Sequence, residues 1–337
     1  MIRRLLTLAR LLVGSLFVAA FSRVRPHRWL PPAISLRLLR TYFEPGSAAT
    51  GANMRATLPA GGRSVIRDLT YDPATGRDGR FDLVVPDGPD AVAPFPLVVL
   101  LHGGGYYYGA KEDVLPYAER LALHGFACAT VNYPRIPEHR HPAAPRAVTQ
   151  ALLHLRAQAA QYRVDPDRIA LVGDSAGGQV AAAVALACTS APYAARLGVE
   201  QAPPAAAIRG VALFGSTVDA AALMDAGRAF TSILASSMWA LSGARDWLDT
   251  ETADLMTLTN HLTPAYPPTF LRAGNADPLT ARGTTPMATR LRELGAEVDF
   301  EVPGDDADPV HHQYQFRLGT PAAEQTFTDL LAFLKSH

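Results

Sequence analysis

Residues 169–178, IALVGDSAGG, constrain this chain more than any other stretch. Four apolar residues, Ile169 to Val172, run into Gly173-Asp174-Ser175-Ala176-Gly177-Gly178, and an alanine-rich run reaching Cys188 follows. A short apolar run ended by glycine reads as a buried strand, and the alanine-rich run as a helix. Glycines two residues either side of a serine are what a sharp strand-to-helix turn needs. The serine takes strained dihedrals, and a side chain at 173 or 177 would collide with neighbouring backbone. Ser175 Oγ is then exposed at the top of a sheet, where a helix N-terminus favours developing negative charge. A tight structural turn is the blander reading, but the strand before and the helix after are the context a nucleophile elbow requires.

The surrounding elements repeat one theme. Residues 64–71 and 80–85 read as a hairpin around the turn-rich 72–79, and residues 95–101 form a nearly continuous apolar strand. A helix over 114–124, a strand over 126–132 and a proline-broken loop over 133–144 come next. A helix over 147–162, a turn at 165–167, and strands at the Ser175 run, 208–214 and 269–273 follow. A helix over 284–294, a strand over 297–302 and a helix over 322–335 close the chain. Alternation of this kind specifies a mostly parallel sheet with helices on both faces. Residues 35–65 are ambiguous: 36–39 read as a helix end and 46–62 as a mobile segment. Residues 218–262 carry scattered Leu, Met and Trp without a strand, and read as two or three short helices inserted after a strand. Such an insertion forms a lid or pocket wall, or packs on the flank.

The chain has 337 residues, 48% of them hydrophobic, enough to bury one large α/β domain over residues 35–337. Its formal net charge is zero, which argues against nucleic acid as a partner. Cys128 and Cys188 read as buried thiols rather than a disulfide framework. Residues 1–30 stand apart: Arg3 and Arg4 precede an apolar stretch from Leu5 to Phe21, interrupted by Arg10. An export signal or single-pass anchor, an amphipathic helix on a membrane surface, and a helix packed on the domain all fit. The first two favour an exported or membrane-associated protein over a cytoplasmic one.

A nucleophilic serine needs donors where an oxyanion forms. The backbone N–H of Ala176 is one, and Gly103 and Gly104, in His102-Gly103-Gly104-Gly105 after an apolar strand, supply the others. His102 reads as a loop-ordering residue rather than a base. The serine also needs an imidazole, oriented by a carboxylate, and the expected chain order is serine, acid, histidine. His261 precedes the strand that ends near Asp277, so His311 and His312 are the candidates for the base. Asp277, in GNADPL just past a strand, is the candidate acid; Asp305, Asp306 and Asp308 share the histidine loop and read as solvated. Tyr106, Tyr107, Met238 and Trp239 are candidates for an apolar pocket wall, or equally for core. An amidase, peptidase or lactonase would use the same residues, and a non-catalytic binding protein would show a broken triad.

HGGGYYYG, NYPRIPEHRHPAA, GDSAGG, NADPL and a histidine in the last loop together resemble the hormone-sensitive-lipase-like group of α/β-hydrolase carboxylesterases. The resemblance runs from about residue 82 to the C-terminus. It implies an eight-stranded, mostly parallel sheet with a helical cap, and hydrolysis of acyl esters without metal or cofactor. With no large charged cluster near these loops, a small or medium uncharged ester, cleaved through an acyl-enzyme, is the expected substrate. It implies Ser175 as nucleophile, Asp277 as acid, and Gly103, Gly104 and Ala176 as oxyanion donors. The family's histidine is commonly followed, after one residue, by an aromatic, which fits His312 with Tyr314. Pro134, in Tyr133-Pro134-Arg135, and Thr280-Ala281, after Leu279, depart from the family pattern. Glu138 is expected to keep a structural contact near the site.

Overall fold

The computed structural model describes residues 30–87, 91–219, 222, 228–305 and 308–337. The expectation for residues 1–30 therefore falls almost wholly outside the described residues, as does Asp306. Among the described residues no helix is long and apolar enough to cross a membrane.

Eight strands form one sheet: β1 (Arg63–Thr70), β2 (Arg80–Pro86), β3 (Phe95–Leu101), β4 (Ala127–Val131), β5 (Val164–Asp174), β6 (Ile208–Phe214), β7 (Thr269–Arg272) and β8 (Val298–Glu301). Their order is β1-β2-β4-β3-β5-β6-β7-β8. β2 is antiparallel to both β1 and β4, and every other neighbouring pair is parallel. The longer helices are α1 (Pro32–Arg55), α2 (Lys111–Ala122), α3 (Ala143–Ala157), α4 (Ala176–Thr189), α5 (Arg228–Ser242), α6 (Thr285–Glu293) and α7 (Pro321–Ser336).

Side chains of a strand alternate between faces, and β3 divides accordingly. Leu97, Val99 and Leu101 enter one core with residues of α3, α4, α5 and α6. Val98 and Leu100 enter a second core with Tyr117 of α2 and Phe327 and Leu330 of α7. A strand buried on both faces has no polar side to show, which is why residues 95–101 read as an unbroken apolar run.

Three boundaries differ from the sequence reading. Residues 46–55 belong to α1, a 24-residue helix that contains Pro45 and Gly46. A Cβ at Gly51 would stand 3.2 Å from the Asp113 carbonyl oxygen, so the glycine serves close approach to α2 rather than mobility. β5 begins at Val164, because Val164 and Asp165 pair with Phe95 and Pro96 ahead of a register shift. α3 begins at Ala143: Pro145 lies in its first turn, where a missing N–H removes no helical hydrogen bond. The insertion after β6 holds α5, 15 residues long, and the short helix Glu251–Met256.

One buried ionic cluster ties the sheet to the loop after β3. Lys111 Nζ donates to Asp82 Oδ1 at 2.6 Å and reaches Asp68 at 3.0 Å and Glu112 at 3.1 Å. Both Lys111 and Asp82 are buried.

Candidate active site

β5 ends at Asp174 and α4 begins at Ala176, so Ser175 occupies the junction with φ 54° and ψ −118°. A non-glycine residue in that region is strained. Its surroundings hold it there: Ser175 N–H donates to the Phe214 carbonyl at 2.8 Å. A Cβ at Gly173 would strike the Gly177 carbonyl, and one at Gly177 would strike the carbonyls of Leu101 and His102. Both glycines are thus required by close approach, as the spacing implied. The contact at Gly177 also presses the elbow against the end of β3, where Gly103 and Gly104 follow. Gly104 has φ +118°, and a Cβ there would strike the Tyr108 carbonyl. Ala176 is the first residue of α4, where backbone N–H groups lack an intrahelical partner.

His312 Nδ1 and Asp277 Oδ2 are 2.8 Å apart. Asp277 is buried and its Oδ1 accepts the Leu279 N–H at 2.9 Å, so the carboxylate is fixed on both oxygens. Burial opposes the His312 imidazolium. The Asp277 hydrogen bond and charge, aided by the Asp174 charge, outweigh it and raise the pKa above the ordinary 6.5. His311 is exposed. The loops carrying acid and base are stitched together: Val310 N–H donates to Asn275 Oδ1 at 2.7 Å, and Ala276 N–H to the Val310 carbonyl at 3.0 Å.

Sequence reasoning missed three residues here. Asp174 Oδ2 accepts from Gln313 Nε2 at 2.5 Å, and its Oδ1 accepts from Gln315 Nε2 at 2.6 Å. The residue before the serine thereby anchors the segment after the histidine. Gln313 itself has φ 61°, a second strained position held by this contact. Burial raises the Asp174 pKa, against the His312 charge and the two glutamine bonds. The polar Gln313 and Gln315 around a buried Tyr314 were the available signal.

The remaining candidates divide. His102 Nδ1 contacts the Gly103 carbonyl at 2.7 Å, its ring stacks on Tyr133 at 4.4 Å, and burial pushes its pKa down to about 3. A neutral, enclosed imidazole orders the loop, as expected. Glu138 meets Arg40 of α1 at 3.1 Å, and Arg40 also donates to the carbonyls of Tyr107 and Ile136. Met238 and Tyr107 are core residues. Trp239 is half-buried beside the Arg245 guanidinium. Tyr106 is buried, with its hydroxyl 2.7 Å from Thr217 Oγ1. His261 lies apart, 2.9 Å from the Asp254 carbonyl. Asp308 N–H donates to Asp305 Oδ1 in a loop turn. Cys128 is buried, whereas Cys188 is only half-buried; both are free thiols. Among the described residues no cluster of His, Cys, Asp and Glu has the makings of a metal site.

Residues 98–307 match the profile of the family described as alpha/beta hydrolase fold. This chain belongs to that family. Within the α/β-hydrolases it falls in the hormone-sensitive-lipase-like carboxylesterase group. It is 30% identical over 249 residues to carboxylesterase NlhH of Mycobacterium tuberculosis, covering 71% of this hydrolase and 73% of that relative. Esterase B of Lactobacillus rhamnosis has the same fold, with a TM-score of 0.78 at 20% identity over 90% of this chain and 95% of its own. A bacterial heroin esterase gives a TM-score of 0.70 at 23% identity, over 88% and 91% of the two chains. The hydrolase therefore has its elbow, glycine loop and acid–histidine pair where the fold gathers the C-terminal ends of the parallel strands.

Proposed function

We propose that this hydrolase is a serine carboxylesterase in which Ser175, His312 and Asp277 form the catalytic triad. The observation that carries the reading is the 2.8 Å contact between His312 and Asp277. With Nδ1–H committed to the carboxylate, Nε2 is the basic nitrogen of the ring. Nε2 takes the Ser175 hydroxyl proton as Oγ bonds to the ester carbonyl carbon. The oxyanion forms against the N–H groups of Gly103, Gly104 and Ala176. The imidazolium then gives its proton to the departing alcohol as the carbon–oxygen bond breaks. Water enters, loses its proton to Nε2, and releases the acid by the reverse roles.

Small or medium uncharged esters are the proposed substrates, and the curated relatives named as esterases support ester over amide. A p-nitrophenyl ester series from acetyl to dodecanoyl tests the assignment. Ser175→Ala and His312→Ala should abolish turnover while His311→Ala retains it; loss in His311→Ala alone would overturn the choice of base. Membrane association through residues 1–30 is the second part of the proposal, supported by the arginine-flanked apolar stretch. Recovery from detergent-free lysate in the soluble fraction, with the N-terminus intact, would overturn it.

A further inference from the structure

Beside the elbow lies a recess that the reaction scheme leaves unused. Its cavity volume is about 10 Å³, room for one group the size of a water or hydroxyl. Tyr106, Pro134, His141, Gln179, Val180 and Leu241 are among its walls. They come from the glycine loop, the proline-broken loop, the first turns of α4, and α5. Gln179 is four residues past Ser175, a rise of about 6 Å along the helix. Tyr106 stands two residues beyond Gly104. The backbone N–H of His141 donates to the Leu241 carbonyl at 3.1 Å, which joins the proline-broken loop to α5.

Two polar side chains facing this recess lack partners, whereas the Tyr106 hydroxyl is held by Thr217. Gln179 is 1% exposed, and its Nε2 makes no hydrogen bond. Both ring nitrogens of His141 are shut off from solvent and equally unpartnered. Buried donors and acceptors are almost always paired, so three unpartnered nitrogens on one small cavity mark a place for a small polar group. Burial, reinforced by the Arg146 charge, pushes the His141 imidazole down to about 4. At neutral pH the ring offers one N–H and one lone pair, and the Gln179 carboxamide nitrogen offers two more N–H groups.

A hydroxyl meets two of these three nitrogens. Its oxygen accepts from Gln179 Nε2, and its hydrogen goes to the unprotonated nitrogen of His141. A carbonyl would leave that lone pair unused, and an alkyl chain would leave all three nitrogens bare. A carboxylate would surrender its hydration, while Arg140 at the rim is exposed to water. We propose that the recess is a subsite for a hydroxyl group carried by the ester away from its scissile bond, on the acyl chain or on a polyol alcohol. The inference rests on the esterase reading above and extends it to the substrate class.

Two substrate pairs separate the two sources of hydroxyl: p-nitrophenyl 6-hydroxyhexanoate against p-nitrophenyl hexanoate, and glyceryl monobutyrate against propyl butyrate. In the wild type, kcat/KM should favour the hydroxylated member of one pair by about tenfold, the scale of one buried hydrogen bond. Gln179→Leu and His141→Phe should each bring that ratio close to one. A wild-type ratio near one in both pairs, or a ratio that Gln179→Leu leaves unmoved, overturns the subsite. So does a stronger preference for the p-nitrophenyl monoester of adipic acid. Calorimetric binding of the same pairs to Ser175→Ala requires no turnover and separates the two readings. Tighter binding of a hydroxylated member, by about tenfold, supports the subsite even if the wild type cleaves no ester and the esterase reading falls. Equal binding overturns the subsite while leaving esterase activity intact.

Discussion

Asp174 and Gln313 are joined by a hydrogen bond of 2.5 Å across 139 residues of sequence. One precedes Ser175, the proposed nucleophile, and the other follows His312, the proposed base. Ser175, next to Asp174, and Gln313 itself sit in strained backbone, with φ 54° and φ 61°. Strain of this kind persists only where the surroundings over-determine it, and the carboxylate, gripped also by Gln315 at 2.6 Å, supplies that constraint.

Asp174 should therefore act on His312 in two separable ways. Asp174→Asn keeps hydrogen-bonding capacity but removes a negative charge that raises the His312 pKa. The charged groups facing this pair are Asp277 and His312 itself. The base works only when unprotonated, so a lower pKa moves the acid limb of the kcat/KM profile to lower pH. Asp174→Ala should lose kcat at every pH. An acid limb that stays in place in Asp174→Asn would refute the electrostatic role.

Asp277→Asn should reduce kcat by about 10⁴, because the amide favours the wrong imidazole tautomer. Stability should respond as well. The His312 pKa is raised on folding, so its contribution to stability is fully present below about 6.5 and is lost as pH rises through the higher folded value. Urea unfolding of the wild type should show this decline above pH 6.5, and Asp277→Asn should flatten it.

Gly177→Ala should destabilise the protein by about 1–3 kcal/mol, the range for forcing an extra carbon into packed structure. Its Cβ would meet backbone carbonyls of Leu101 and His102, which have no rotamer to turn. Activity should fall further than stability, since those residues lead directly into Gly103 and Gly104. Parallel urea titrations and p-nitrophenyl butyrate assays measure the two effects.

Asp82→Ala should cost about 3 kcal/mol, the lower end for removing one partner of a buried pair. Lys111 would remain 1% exposed with only Asp68 and Glu112, both at the surface, to balance it. A loss of unfolding free energy below about 1 kcal/mol in urea titration would show that the cluster relaxes into solvent.

The local elements were legible in the chain because their causes are local. Alternating apolar strands and helices, two obligatory glycines around Ser175 and an aspartate just past β7 depend on windows of about ten residues. α1 was not legible: Pro45, Gly46 and Gly51 look like breakers, and only the approach of Asp113 explains why a small residue belongs at 51. The same holds for the start of β5, where Asp165-Pro166-Asp167 has turn chemistry but strand pairing with Phe95 and Pro96 prevails.

By itself, the sequence determined the order of elements, the strained serine turn and the candidate acid. The tertiary structure decided which of two adjacent histidines meets that acid, because neighbouring side chains in a loop differ in direction and not in composition. It also decided that Asp174 grips Gln313 and Gln315, and that His141 and Gln179 face one recess. Those pairs lie far apart along the chain. They meet only because the sheet order β3-β5-β6-β7 gathers the strand ends, and no window of sequence records that juxtaposition.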